Sequence, residues 1–154
     1  MPDTTYAPKI YRKQGGNEMV VASGGAINVE PGGAINVNGQ PVTQYMLPMD
    51  IADGSADAVY YLVCPHAGVI AKIWSVIDGA VLTADITITA AIGATPVTNG
   101  VVTITQAGSA AGDVDVATPT AARAVTAGQA IKLTVAGGGA AGAPRIHVVV
   151  VIER

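Results

Sequence analysis

Apolar residues recur at every second position in short runs through most of this chain, and glycine, proline and asparagine cut the runs at short intervals. This pattern admits strands and turns and leaves almost no room for helices, because strand side chains alternate faces with period two. In Asp85–Ala90, Ile86 and Ile88 share one face while Thr87 and Thr89 take the other. In Ile131–Val135 the apolar positions alternate with Lys132 and Thr134. Further strands are expected at Val59–Cys64, Val69–Ile77, Val101–Thr105, Val114–Val116 and Arg145–Glu153. The separating turn signals are Pro65–Gly68, Asp78-Gly79, Thr98-Asn99-Gly100, Gly108–Gly112, Ala127-Gly128 and Gly137–Gly142. Seven or eight such strands predict an all-β chain whose body, residues 45–154, is a jelly-roll-like β-sandwich. Residues 117–127 have room for one helical turn at most.

The residue types agree. Ala, Val and Ile dominate, Phe is absent, and 19 Gly and nine Pro supply turns. The last strand is apolar on both faces, with Ile146, Val148, Val150 and Ile152 against Val149 and Val151. Such a strand is expected in the middle of a sheet, its second face covered by another element or subunit.

Residues 1–44 read differently. After a polar segment, Gly24-Gly25-Ala26-Ile27-Asn28-Val29 recurs as Gly32-Gly33-Ala34-Ile35-Asn36-Val37, a period of eight. Each copy is a Gly-rich turn followed by a short alternating stretch. Two copies are too few to bury a face by stacking on each other, so an extended Gly-rich N-terminal arm is expected, lying on the body, another subunit or a shell protein. A flexible low-complexity arm is the alternative.

Charged residues are only 12% of the chain, about half the usual share of a soluble domain. A protein that hides much of its surface against copies of itself or a larger shell manages with fewer. In the arm, Asp3, Glu18 and Glu30 balance Lys9, Arg12 and Lys13, whereas the body holds eight acids against five bases. An acidic body with few aromatics is ill suited to nucleic acid, so no nucleic-acid partner is expected. The N-terminus has no signal-peptide pattern and no apolar run approaches a membrane span, so synthesis in the cytoplasm and no membrane partner are expected.

Cys64 is the only cysteine, which excludes intrachain disulfides and CxxC metal sites. It shares a strand face with Tyr60 and Leu62 and reads as a small buried apolar residue, while His66 falls in a turn. With His147 the only other histidine, a zinc site lacks ligands. Asp50, Asp53 and Asp57, like Asp113 and Asp115, do not match the twelve-residue calcium loop. The 137–142 glycine run lacks the Lys-Ser/Thr and following helix of a phosphate loop. No acid–base pair is identifiable, so neither catalysis nor a cofactor is expected.

The runs Ile73–Thr89 (IWSVIDGAVLTADITIT), Val97–Ile104, Gln106–Asp115 and Ala127–Ile131 resemble domains of small virion proteins of tailed phages, among them jelly-roll cement and decoration proteins. The resemblance covers roughly residues 58–152 and leaves out the repeat. It implies a non-enzymatic protein on the capsid exterior that binds the assembled major capsid protein at two-fold or three-fold positions and strengthens the shell. Closed symmetry makes a homo-oligomer natural, a trimer preferred to a dimer. Contacts with capsid or subunits are then expected from Lys9, Arg12, Lys13, Ile27, Val29, Ile35, Val37 and Trp74. For Trp74, core packing is preferred to the outward position that its neighbour Lys72 would also allow. The competing readings are a receptor- or glycan-binding fibre module, a small hydrolase and a surface adhesin.

Overall fold

The computed structural model describes residues 10–12, 15, 18–30, 33, 35–37, 40–41, 44–81, 83–137 and 144–154. The chain divides into two compact units, Met1–Val42 and Thr43–Arg154.

In the first unit β1 (Ile10–Arg12) pairs antiparallel with β2 (Met19–Val21), and β3 (Asn36–Val37) with β4 (Gln40–Pro41). The period of eight has a structural counterpart. The Gly25 amide donates to the Ala22 carbonyl at 2.8 Å, and eight residues on the Gly33 amide donates to the Glu30 carbonyl at 2.9 Å. The two copies then differ: Ala26–Val29 joins no described strand, whereas Asn36-Val37 forms β3.

The body is a β-sandwich of two antiparallel sheets, and the described residues contain no helix. One sheet has the order β10 (Val114–Ala117), β7 (Gly68–Ile77), β13 (Ile146–Glu153), β5 (Gln44–Ile51), with β11 (Ala124–Val125) also on β7. The other has the order β6 (Ala58–Val63), β12 (Ala130–Gly137), β8 (Ile86–Ile92), β9 (Thr95–Ile104). Pairing is nested along the chain: β5 with β13, β6 with β12, β7 with β10, and β8 with β9. The central place of β13 follows from its double apolarity.

β-Branched side chains fill the space between the sheets. Ile70, Ile73, Ile77, Val148 and Val150 face Ile86, Ile88, Val102, Ile131 and Leu133, all within 1% of complete burial. Each such side chain contributes about 1.5–3 kcal/mol through burial. Cys64 is buried among them, and Tyr60 and Leu62 pack partly buried against the same core.

One expectation is corrected and two open points are settled. Thr98-Asn99-Gly100 does not separate strands; it lies inside β9 as an irregularity, with Asn99 at φ +56° and the register against β8 broken between Thr89 and Ala91. The Thr98 amide there bonds the Ala121 carbonyl at 3.0 Å. The hairpin between β8 and β9 instead turns at Gly93-Ala94. Residues 117–127 contain no helical turn; they run from β10 through a left-handed Ala122 at φ +51° into β11. An eighth long strand, β5, was not anticipated. It carries Pro48, which an edge strand tolerates because one row of its amides has no ladder partner.

One inward position breaks the apolar pattern. Ser75 is 2% exposed, and its hydroxyl makes no hydrogen bond within the described protein. Ser75→Ala is expected to stabilise the body by about 1 kcal/mol, read as a higher urea midpoint at unchanged slope, because it removes an unsatisfied buried hydroxyl. Opposite Ser75 on β10 lies Asp115. Burial, with a smaller contribution from the Asp113 carboxylate, raises the Asp115 pKa above the ordinary carboxylate value. The native state therefore holds this proton more tightly than the unfolded chain. The stabilisation is complete below the ordinary carboxylate range and is lost as pH rises through the raised value. Asp115→Asn is thus expected to gain stability relative to the wild type at pH 7, and the difference should vanish in acid.

Candidate interaction surface

The register of the β10-β7-β13-β5 sheet arranges its outward side chains in three rows. Val116, Trp74, Val149 and Pro48 form the middle row. Val114, Val76, His147 and Asp50 flank it on one side, and Lys72, Val151 and Met46 on the other. Eight of these eleven side chains are apolar, and they are contiguous. Met46 is 68% exposed, Val114 59%, Val116 46% and Trp74 36%. A continuous apolar face of this kind is a feature that interaction surfaces share, which makes it the candidate surface of this body. Trp74 near its middle is the residue type that most often dominates binding energy.

The charged groups on this face already have local partners. Lys72 Nζ sits 5.2 Å from the centre of the Trp74 ring, a cation–π arrangement that holds the indole against the sheet. Asp50 Oδ1 and His147 Nδ1 are 2.6 Å apart. At the end of the sheet, Gln44 Nε2 donates to Glu153 Oε1 at 2.9 Å. The apolar middle is thus bounded by polar groups on both sides.

The outward face of the second sheet differs. Val59, Tyr61 and Val63 are exposed along edge strand β6, but beyond it come Lys132, Thr134, Thr87, Thr89 and Thr103. Its exposed apolar side chains, the β6 stripe and Val101 on β9, lie on opposite edges with this polar band between them.

Of the expected contact residues, the structure places Trp74 outward at the middle of the apolar face, correcting the preference for core packing. Ile27, Val29 and Ile35 are exposed, at 48%, 40% and 42%. Lys9 and Lys13 lie outside the described residues, and for Arg12 and Val37 only the backbone is described. Met46, Pro48, Val76, Val114, Val116 and Val149 were not anticipated as contacts, and Val151, in the same rows, is buried at 8% exposure. The signal for them was Val149 and Val151 on the second face of the last strand, together with apolar residues on both faces of Ile73–Ile77.

Cys64, His66 and Asp53 have local partners. The Cys64 thiol donates to the His66 carbonyl at 2.9 Å, and the His66 ring stacks on Tyr45 with centroids 4.7 Å apart. Asp53 accepts from the Ser55 hydroxyl at 2.6 Å and its amide at 2.9 Å, and these two bonds hold its pKa below the ordinary value. Among the described residues no group of three His, Cys, Asp or Glu side chains is arranged to hold a metal ion, and no helix is long and apolar enough to cross a membrane.

Comparison with known proteins finds no family model that matches the chain and no similar curated protein.

Proposed function

We propose that this chain is a non-enzymatic structural protein of a tailed-phage virion, one that decorates the capsid exterior and cements the shell by binding the major capsid protein. The observation that carries the reading is the apolar outward face around Trp74, on a body with little charge to keep a lone monomer apart from its neighbours. The nested strand pairing supports a jelly-roll-like body, the architecture that viral capsid domains use. Copies of the chain associate with one another, as a trimer in preference to a dimer. The arm, with Ile27, Val29 and Ile35 exposed in its eight-residue sequence repeat, supplies a second contact. Stabilisation works by mass action: many copies bind the assembled shell and not its dissociated parts. Neither nucleic acid, membrane nor cofactor has a role in this reading.

The outward Trp74 also favours a second reading, a receptor- or glycan-binding fibre module, because aromatic platforms stack on sugars. Co-sedimentation of the purified protein with mature heads lacking it separates the two. Saturable binding at a stoichiometry set by the capsid lattice, with greater heat resistance of the shell, is expected. Absence of head binding, with retention on host cells, would replace the first reading by the second.

A further inference from the structure

A cleft of about 450 Å³ opens in the body where the start of β7, the β8–β9 turn and the approach to β11 meet. Val69, Ile92 and Ala122 form an aliphatic wall, and Arg123, Thr95 and Gln129 supply polar groups. The guanidinium of Arg123 is the unusual element. Arg123 is half-buried, yet among the described residues no carboxylate lies within ion-pair distance of it. Its Nη1 donates to the Ile70 carbonyl at 3.2 Å, which fixes the head group and leaves most of its five N–H donors unspent. A partly desolvated cation without a counter-ion is costly unless a ligand supplies the charge.

The neighbours restrict what that ligand is. Gln129 Oε1 is taken by the Thr126 amide at 2.9 Å and the Thr126 hydroxyl at 3.2 Å, so what Gln129 has left to offer is its Nε2 donor. Thr95 adds a hydroxyl that both donates and accepts. The cleft wall holds one cation and no acid, which matches one negative charge rather than the two of a phosphate monoester. Ala122, beside Arg123, is held at φ +51°, a backbone conformation that non-glycine residues seldom adopt and that recurs at binding sites.

We infer that this cleft binds a saccharide carrying a single carboxylate, a uronic-acid unit, through a bidentate contact between the carboxylate and Arg123. The aliphatic wall meets the C–H face of the ring, and Thr95 and Gln129 meet its hydroxyls. Arg matches this anion better than Lys because its planar fork engages both carboxylate oxygens. The inference is independent of the decoration reading and lies away from the Trp74 face.

The test is titration of the 15N-labelled full chain with galacturonate, galactose and acetate, followed by amide chemical shifts. Galacturonate is expected to give saturable shifts confined to the residues around Val69, Ile92, Arg123 and Gln129. Acetate should act at the same place at least several-fold more weakly, and galactose should not saturate. Arg123→Gln should abolish the shifts. Because Arg123 also ties down the Ile70 carbonyl, Arg123→Lys is the second variant; it keeps the charge, loses the fork, and should weaken binding several-fold in a chain whose remaining spectrum is unchanged. No saturable shift with galacturonate, equal binding of galactose or acetate, or unaltered binding by Arg123→Gln would each overturn the inference. Head binding is read separately, so failure here leaves the decoration reading as it stood.

Discussion

Trp74→Glu is expected to lower the affinity of the protein for phage heads by about a hundred-fold or more, while the body stays folded. The size follows from position and chemistry. Central interface tryptophans commonly cost 2–4 kcal/mol when truncated, and about 2.7 kcal/mol is a hundred-fold. Glutamate adds the desolvation of a charge in the middle of an apolar contact. The substitution removes no core packing, because Trp74 faces outward between Val116 and Val149 while Ile73 and Ser75 face the interior. Thr103→Glu, on the outward face of the other sheet, is the control and should bind as the wild type does. Equal loss in both variants would indicate a nonspecific charge effect rather than a docking face.

The largest expected effect on stability lies at Gly137. It sits at φ +96°, and a Cβ built there collides with the carbonyl oxygen of Asp85, the residue just before β8. Two costs therefore add in Gly137→Ala: a backbone conformation outside the range of an L-residue, and a clash with main chain that cannot rotate away. Together they are expected to cost about 3 kcal/mol, a large part of the 5–15 kcal/mol that holds a typical domain folded. Gly93→Ala separates the two. Gly93 also has positive φ, +61°, but nothing lies within 4 Å of its Cβ position, so only the conformational cost of about 1 kcal/mol remains. Urea unfolding of both variants reads the difference, and similar midpoints would refute the steric part.

The sandwich was legible because its strands alternate cleanly where one face is core and the other solvent, as in Ile86–Ala90 and Ile131–Val135. Legibility failed where both faces are apolar. In Ile73-Trp74-Ser75-Val76-Ile77 hydrophobicity alone favours Trp74 inside, but the isoleucines at 70, 73 and 77 take the interior and carry Ser75 with them. The parity that put Lys72 on the same face as Trp74 was the usable clue, and it now places the tryptophan at the candidate surface. β5 carries Pro48 in its middle, a residue that strands favour little and that an edge strand accommodates. Thr98-Asn99-Gly100 misled for a chemical reason: Asn tolerates positive φ equally in a turn or in a strand irregularity, and only the bridge of Thr98 to Ala121 and the resumed pairing of Val101 with Thr89 distinguish them. The Arg123 cleft had no signature in the chain, because Val69, Ile92, Arg123 and Gln129 come together only through the fold.

A reconstruction of phage heads saturated with the protein would show what covers the sheet of β10, β7, β13 and β5. The expected result is Trp74 and Val149 buried against the major capsid protein or a neighbouring copy, with the Thr-rich face of the other sheet toward solvent. Density that leaves Trp74 open to solvent on every bound copy, or heads that carry no copies at all, would contradict the proposal.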